Sequence, residues 1–180
     1  IYRLMKRRSV LITGASRGIG RACALRFARA GYFVFINCRH STAELYDLRS
    51  QLLSEGYFCE AVPGVAGRSD DVARMFSAMR KLCGGPDVLI NNAGISYIGL
   101  LTDMTDQDWE DILHSNLSSA FYCSRAALPY MISQKSGKII NISSMWGRAG
   151  ASCEAAYSAS KAGLNGLTMA LAKELAPSNI

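Results

Sequence analysis

The sequence predicts an α/β fold, a doubly wound parallel sheet with helices on both faces. Three observations predict it. Short apolar runs alternate with longer stretches whose apolar residues recur at helical spacing, from Val10 to Leu175. The first apolar run opens onto a glycine-rich turn, Thr13-Gly14-Ala15-Ser16-Arg17-Gly18-Ile19-Gly20, and a helical pattern follows. The chain has 180 residues, 49% of them hydrophobic and 19% charged, enough for one buried core with an ordinary solvated surface. Repeats, low-complexity tracts and linkers are absent, so residues 1–180 read as a single domain.

Each element has a local reason. Val10 to Ile12 is a short buried strand. Beyond the turn, Ile19, Ala22, Cys23, Leu25, Phe27 and Ala28 fall at helical spacing. Tyr32 to Cys38 is a second apolar strand, and Leu45 to Leu53 a helix that ends near Gly56. Phe58 to Val62 is a third strand. Asp70 and Asp71 open the next helix, where carboxylates meet the positive end of the dipole, and it runs through Val72, Met75, Phe76 and Met79. Gly84-Gly85-Pro86 stops it. Asp87 to Asn91 is a fourth strand. Thr105 then caps a long helical region that reaches about Gln134. Lys138 to Ile142 is a fifth strand, and Ala156 to Leu175 the last helix.

Composition narrows the function classes. No apolar run has the length of a membrane span, which argues against a membrane role. The formal net charge is +6, but the basic residues are dispersed and no basic helix stands out. That argues against nucleic acid and leaves two readings, an ordinary solvated surface or a positive rim facing a polyanionic cofactor and an acidic partner protein. The six cysteines show no C-x-x-C and no metal-ligand spacing, so the expectation is a reduced, cytoplasmic setting without a metal. Lys6-Arg7-Arg8 leads straight into the first strand with no signal peptide. Met5 is the expected native start, with Ile1 to Leu4 upstream.

In a parallel sheet, ligands sit beyond the carboxyl ends of the strands. After the first strand, Gly14, Gly18 and Gly20 clear side chains from the start of a helix, whose free N–H groups can hold a pyrophosphate. A glycine turn also has purely conformational uses. After the second strand stand Arg39, His40 and Ser41, where an NAD-binding domain would place an acid for the ribose 2′-hydroxyl. The missing acid, with Arg39 and Arg17 present, points to a 2′-phosphate and therefore NADP(H), with two surface arginines as the alternative. After the fourth strand come Asn91-Asn92-Ala93-Gly94, small residues and turn-forming amides; Asn91 has a packing role as its alternative. After the fifth come Ser143, Ser144, Met145, Trp146 and Gly147, and then Tyr157-Ser158-Ala159-Ser160-Lys161. Tyr157 and Lys161 share a helix face, and an ammonium beside a phenol favours the phenolate. Such a phenol can protonate a ketone oxygen while a hydride reaches the carbon.

With these motifs in this order, the chain resembles the classical short-chain dehydrogenase/reductase family, from the first strand to Ile180. The resemblance implies a Rossmann-type sheet and four catalytic roles. Tyr157 is the general acid, Lys161 holds the nicotinamide ribose and tunes the phenol, Ser144 hydrogen-bonds the substrate carbonyl, and Asn116 orders a water that relays protons. His114 reads as structural. The implied cofactor set is Gly14, Ser16, Arg17, Gly18, Ile19, Gly20, Arg39, His40, Val65, Asn92, Ala93 and Gly94, together with Tyr157 and Lys161. Two departures stand out. Gly64-Val65 replaces the family's Asp-Val at the adenine, and the family's later strands and substrate lid have no counterpart before Ile180, which reads as a truncation that leaves the fifth strand an edge.

Within the family the chain is most similar to 3-oxoacyl-[acyl-carrier-protein] reductases of fatty acid synthesis. The segment Ser143 to Gly147 with Gly150 to Glu154 is also similar to a reductase of the 5-aminopentanone modification on elongation factor P. Both imply a ketone carried on a protein, and Glu154 is a candidate to attract an amine-bearing substrate. The alternative from another class is a truncated, non-catalytic NADP-binding protein. The family also implies a homodimer or homotetramer built on the two long helices, with Phe121, Leu128, Leu164, Leu167 and Leu171 as candidates for the interface or for packing on the sheet.

Overall fold

The computed structural model describes residues 7–180. Met5, the expected start, and Lys6 of the basic run lie outside the described residues. Five strands form one parallel sheet: β1 (Ser9–Ile12), β2 (Phe33–Ile36), β3 (Cys59–Ala61), β4 (Val88–Asn91) and β5 (Lys138–Asn141). The strand order is β3-β2-β1-β4-β5, so the direction of winding reverses between β1 and β4. A crevice at that reversal is where a doubly wound sheet places its ligand.

Side-chain alternation divides the core into two layers. Val10, Ile12, Val34, Ile36, Val88 and Ile90 face α1 (Gly18–Arg29) and α2 (Thr42–Ser54). Leu11, Phe33, Phe35 and Leu89 face α3 (Ser69–Cys83) and the later helices. Cα pairing keeps these sets in register, with Leu11 opposite Phe35 on one side and Leu89 on the other. Every strand residue of β1, β2 and β4 is buried. Continuous apolar runs are what a sheet covered on both faces requires.

The long helical region is three pieces on one path. Thr105 and Asp108 form a capping box at the start of α4 (Asp106–Leu113). A π-type turn follows at His114–Ser118, and α5 (Ser119–Gln134) continues from it. A four-residue helix, α6 (Trp146–Ala149), and α7 (Ala155–Leu175) complete the chain, with short 3₁₀ turns at Leu101–Asp103 and Ala176–Ser178. Helix α3 ends at Gly84, whose φ of +88° lies in the left-handed region that glycine adopts freely.

Several expectations are corrected. The strands are shorter than the apolar runs: Tyr32, Cys38, Phe58 and Val62 pack against the sheet's ends from outside β2 and β3. The buried residues of α1 are Gly20, Ala24 and Ala28, because this helix lies close to the sheet and small residues permit the approach. Ile19 is 61% exposed and belongs to the cavity described below. Of the candidates for either a subunit interface or packing on the sheet, Leu164 is buried and Phe121 is 43% exposed. As expected, β5 pairs only with β4 and forms an edge of the sheet, and its Ile140 is 42% exposed.

Candidate active site

The glycine turn and the loop after β4 are locked together across the winding reversal. The Thr13 hydroxyl oxygen accepts from the N–H groups of Asn92 and Ala93, both at 3.0 Å. The Asn92 side-chain amide donates in return to the carbonyls of Thr13 and Gly14, also at 3.0 Å. Gly20 makes the lock possible: a Cβ there would fall 2.3 Å from the Gly14 carbonyl oxygen and 2.6 Å from the Asn92 amide nitrogen. Gly18 has a different reason. Its φ is +56°, and a Cβ would point into open space.

A cavity of about 530 Å³ opens beside this lock. Its walls include Gly14, Ser16, Arg17 and Ile19 from the turn, and Arg39 and His40 from beyond β2. Val65 and Asn92 to Ile95 complete the mouth. No side chain caps the N-terminus of α1, and its first turn holds no acid. Free N–H groups at the positive end of a helix dipole therefore face a space flanked by two guanidinium groups. These residues fit a dinucleotide with an additional phosphate. Val65 lines the cavity, but its N–H is committed to the Asp71 carboxylate at 2.7 Å. That bond, followed by the nearby Arg74 and Arg68 charges, holds the Asp71 carboxyl below its ordinary range against the opposing effect of burial. Asp71 sits beneath Gly64: a Cβ on Gly64 would lie 3.3 Å from the Asp71 Cβ.

Beyond Gly94 the second half of the site begins. Lys161 is buried, and its ammonium donates to the Ile142 carbonyl at 2.7 Å. The same nitrogen lies 5.6 Å from the centre of the Tyr157 ring. Burial pushes the Lys161 ammonium below the usual lysine range. A Cβ on Gly94 would come within 3.6 Å of that ammonium, so the missing side chain leaves it open towards the cavity. Ser143 and Ser144 diverge. The Ser143 hydroxyl turns to the Lys161 carbonyl at 3.4 Å. The Ser144 oxygen accepts from the Trp146 N–H at 3.2 Å, and its own O–H donates to no described residue.

Asn116 is 1% exposed and sits in the π-type turn. Its carbonyl oxygen accepts from the Ile95 N–H at 2.8 Å, and its amide donates to the Ile95 carbonyl at 2.9 Å and to Ser160 at 3.0 Å. Both amide hydrogens are thus spent on protein, and the side chain acts as a strut for the loop after β4. Ser160 passes the link on, its hydroxyl donating to the Tyr157 carbonyl. His114 faces solvent with a ring nitrogen 2.7 Å from the Glu110 carbonyl oxygen, a structural contact. Asn91 also packs, donating to Ser124 and Asn141.

The turn and the Tyr157–Lys161 pair were legible as motifs. Thr13, Ser160 and the Ile142 carbonyl were missed because each matters through a partner distant in sequence, and Asp71 because its link to Val65 follows no helical or strand period. The walls of the cavity include Gly94, Ile95 and Ser115 at this end, and Ser144, Tyr157 and the buried Lys161 are not among them.

Comparison with known proteins agrees with this geometry. A 3-oxoacyl-[acyl-carrier-protein] reductase FabG of Staphylococcus aureus strain Mu50 is 40% identical over 173 residues, which is 96% of this chain and 70% of that protein. A 3-oxoacyl-[acyl-carrier-protein] reductase of Synechocystis is 40% identical over 166 residues, 92% of this chain and 67% of its own length. Among solved structures, a metagenomic short-chain oxidoreductase in complex with NADP superposes with a TM-score of 0.91 at 35% identity, covering 95% of this chain and 77% of the other. The family model described as short chain dehydrogenase matches residues 8–180, and the chain belongs to that family.

Proposed function

We propose that this chain reduces a ketone to a secondary alcohol with NADPH, and that the ketone is a 3-oxoacyl group carried on an acyl carrier protein. One observation carries the reading: a buried lysine, fixed by the Ile142 carbonyl, holds its ammonium beside the Tyr157 ring where Gly94 leaves it open. The acyl substrate is supported by the relatives named above and by a net charge of +6, which attracts an acidic carrier. Cofactor choice is supported by the arginines and by the NADP-bound neighbour.

When bound, NADPH supplies a hydride to the ketone carbon. The N-terminus of α1 would hold the pyrophosphate with Gly14, Ser16, Gly18, Ile19 and Gly20, and Arg17, Arg39 and His40 would take the 2′-phosphate. Val65 would serve the adenine. Asn92, Ala93, Gly94 and Lys161 would serve the nicotinamide ribose. Ser144 donates its free O–H to the ketone oxygen and orients it. Tyr157 transfers its phenolic proton to that oxygen as negative charge develops there. Lys161 stabilises the phenolate left behind. Asn116 keeps Ile95 and Gly94 in place, and only the second lone pair of its side-chain oxygen and its main-chain carbonyl are left for a relay water.

The 180 residues act as one dinucleotide-binding domain. The scattered spacing of the six cysteines supports a reducing cytoplasmic setting. No described helix is long and apolar enough to cross a membrane. Exposed Phe121 and Met169 on α5 and α7 support pairing of subunits into a homodimer or homotetramer through these helices. A second reading, reduction of an amino-ketone on elongation factor P, rests on Glu154, whose Oε1 accepts from Ser96 at 2.9 Å while Oε2 engages no described residue. Glu154→Gln should then slow amino-ketones relative to acyl thioesters, and unchanged relative rates would remove that reading.

The deciding assay follows NADPH absorbance with acetoacetyl-CoA. Tyr157→Phe should abolish turnover and keep cofactor binding. Retained turnover would overturn the assigned acid. A wild-type chain that binds NADPH and never oxidises it with any ketone would favour a non-catalytic binding protein.

A further inference from the structure

Asn37 follows β2 and is 1% exposed, yet it lines the cavity. Its backbone is fixed in the sheet: its N–H donates to the Ile12 carbonyl, and its carbonyl accepts from the Ala15 N–H. The side-chain amide donates to the carbonyls of Val62 at 2.9 Å and Gly64 at 3.0 Å. Those two bonds set which end of the amide is nitrogen, because a flipped group would set oxygen against oxygen. The Asn37 side-chain oxygen accepts from no described residue and is not sealed in the interior, so it opens on the cavity.

We infer that Asn37 is a specificity-determining residue that accepts a hydrogen bond from the exocyclic amine of a purine. It lies against Gly64, where this chain has no side chain to offer as an acceptor. The neighbouring Val65 N–H is held by Asp71, so the base must find its polar partner elsewhere in the wall. An uncharged amide oxygen answers an amine without placing a carboxylate close to the phosphate-binding arginines. The inference rests on the cofactor reading above and deepens it: the site selects adenine over an oxo-purine.

The test uses equilibrium binding, read by quenching of protein fluorescence, with NADPH and with its hypoxanthine analogue. The analogue carries a carbonyl where adenine carries the amine, and would face the Asn37 oxygen with a second acceptor. The wild-type protein should bind NADPH about five- to tenfold more tightly than the analogue, the worth of one hydrogen bond. Asn37→Leu should bring that ratio close to one. A general loosening of the cavity weakens both ligands together and leaves the ratio alone. Equal binding of both dinucleotides by the wild type, or an unchanged ratio in Asn37→Leu, would overturn the inference and leave the cofactor reading intact. Failure of the wild type to bind either dinucleotide would overturn both.

Discussion

Replacing Asn116 with Ala separates a strut from a chemical participant. The side chain makes three hydrogen bonds, two to the backbone of Ile95 and one to Ser160, all between 2.8 and 3.0 Å. Each such bond contributes about 1 kcal/mol net, so truncation should destabilise the fold by about 3 kcal/mol. In a domain of this size each kcal/mol moves Tm by about 2–4 °C, which places the expected drop near 6–12 °C. Thermal unfolding followed by circular dichroism measures it. NADPH binding should weaken in the same variant, because Ile95 and Gly94 lose their anchor. A drop of less than about 3 °C accompanied by complete loss of turnover would refute the strut argument and make Asn116 a participant in proton transfer.

Three further outcomes are expected. Gly20→Ala should be far more disruptive than Gly18→Ala: the first drives a methyl against the Gly14 carbonyl and costs about 3 kcal/mol or more, the second meets open space and costs about 1 kcal/mol of backbone strain. Chemical denaturation of the two variants compares them directly, and equal midpoints would contradict the packing described. Arg39→Ala should weaken NADPH at least tenfold while leaving NADH nearly unchanged, since only the 2′-phosphate is lost as a partner; titration with both dinucleotides checks this. Asp71 contributes to acid stability. Its folded-state carboxyl is held low by the Val65 N–H, so its contribution is complete above the ordinary carboxylate range and disappears as pH falls through the lowered value. Asp71→Asn should flatten the acid limb of the stability–pH curve, and an unchanged limb would assign that pH dependence to other groups.

Much of the fold was legible because it depends on local pattern. The runs at Val10–Ile12, Phe33–Ile36 and Val88–Asn91 supply strands wherever they stand, and Thr105 with Asp108 caps a helix with its own side chains. The direction of a helix face was less legible. Ile19 reads as core by hydropathy, but α1 approaches the sheet so closely that Gly20, Ala24 and Ala28 take the inner side. The candidate site followed the same division. Tyr157 and Lys161 announce themselves by a spacing of four residues on one helix. The use made of Asn116 and Asn37 depends on carbonyls and amides brought by other segments, and no local periodicity records those meetings. The commitment of the Val65 N–H to Asp71 is local yet also escaped, since the first turn of the helix reaches back to the loop before it at a spacing that belongs to no regular period.

The Thr13 hydroxyl has a consequence for motion. A single oxygen receives two amide protons from a segment some eighty residues further along the chain. Those protons belong to a loop, yet they should resist isotope exchange as stubbornly as protons in the central strands. Their release requires β1 and β4 to part, so the floor of the crevice opens only when the sheet itself does.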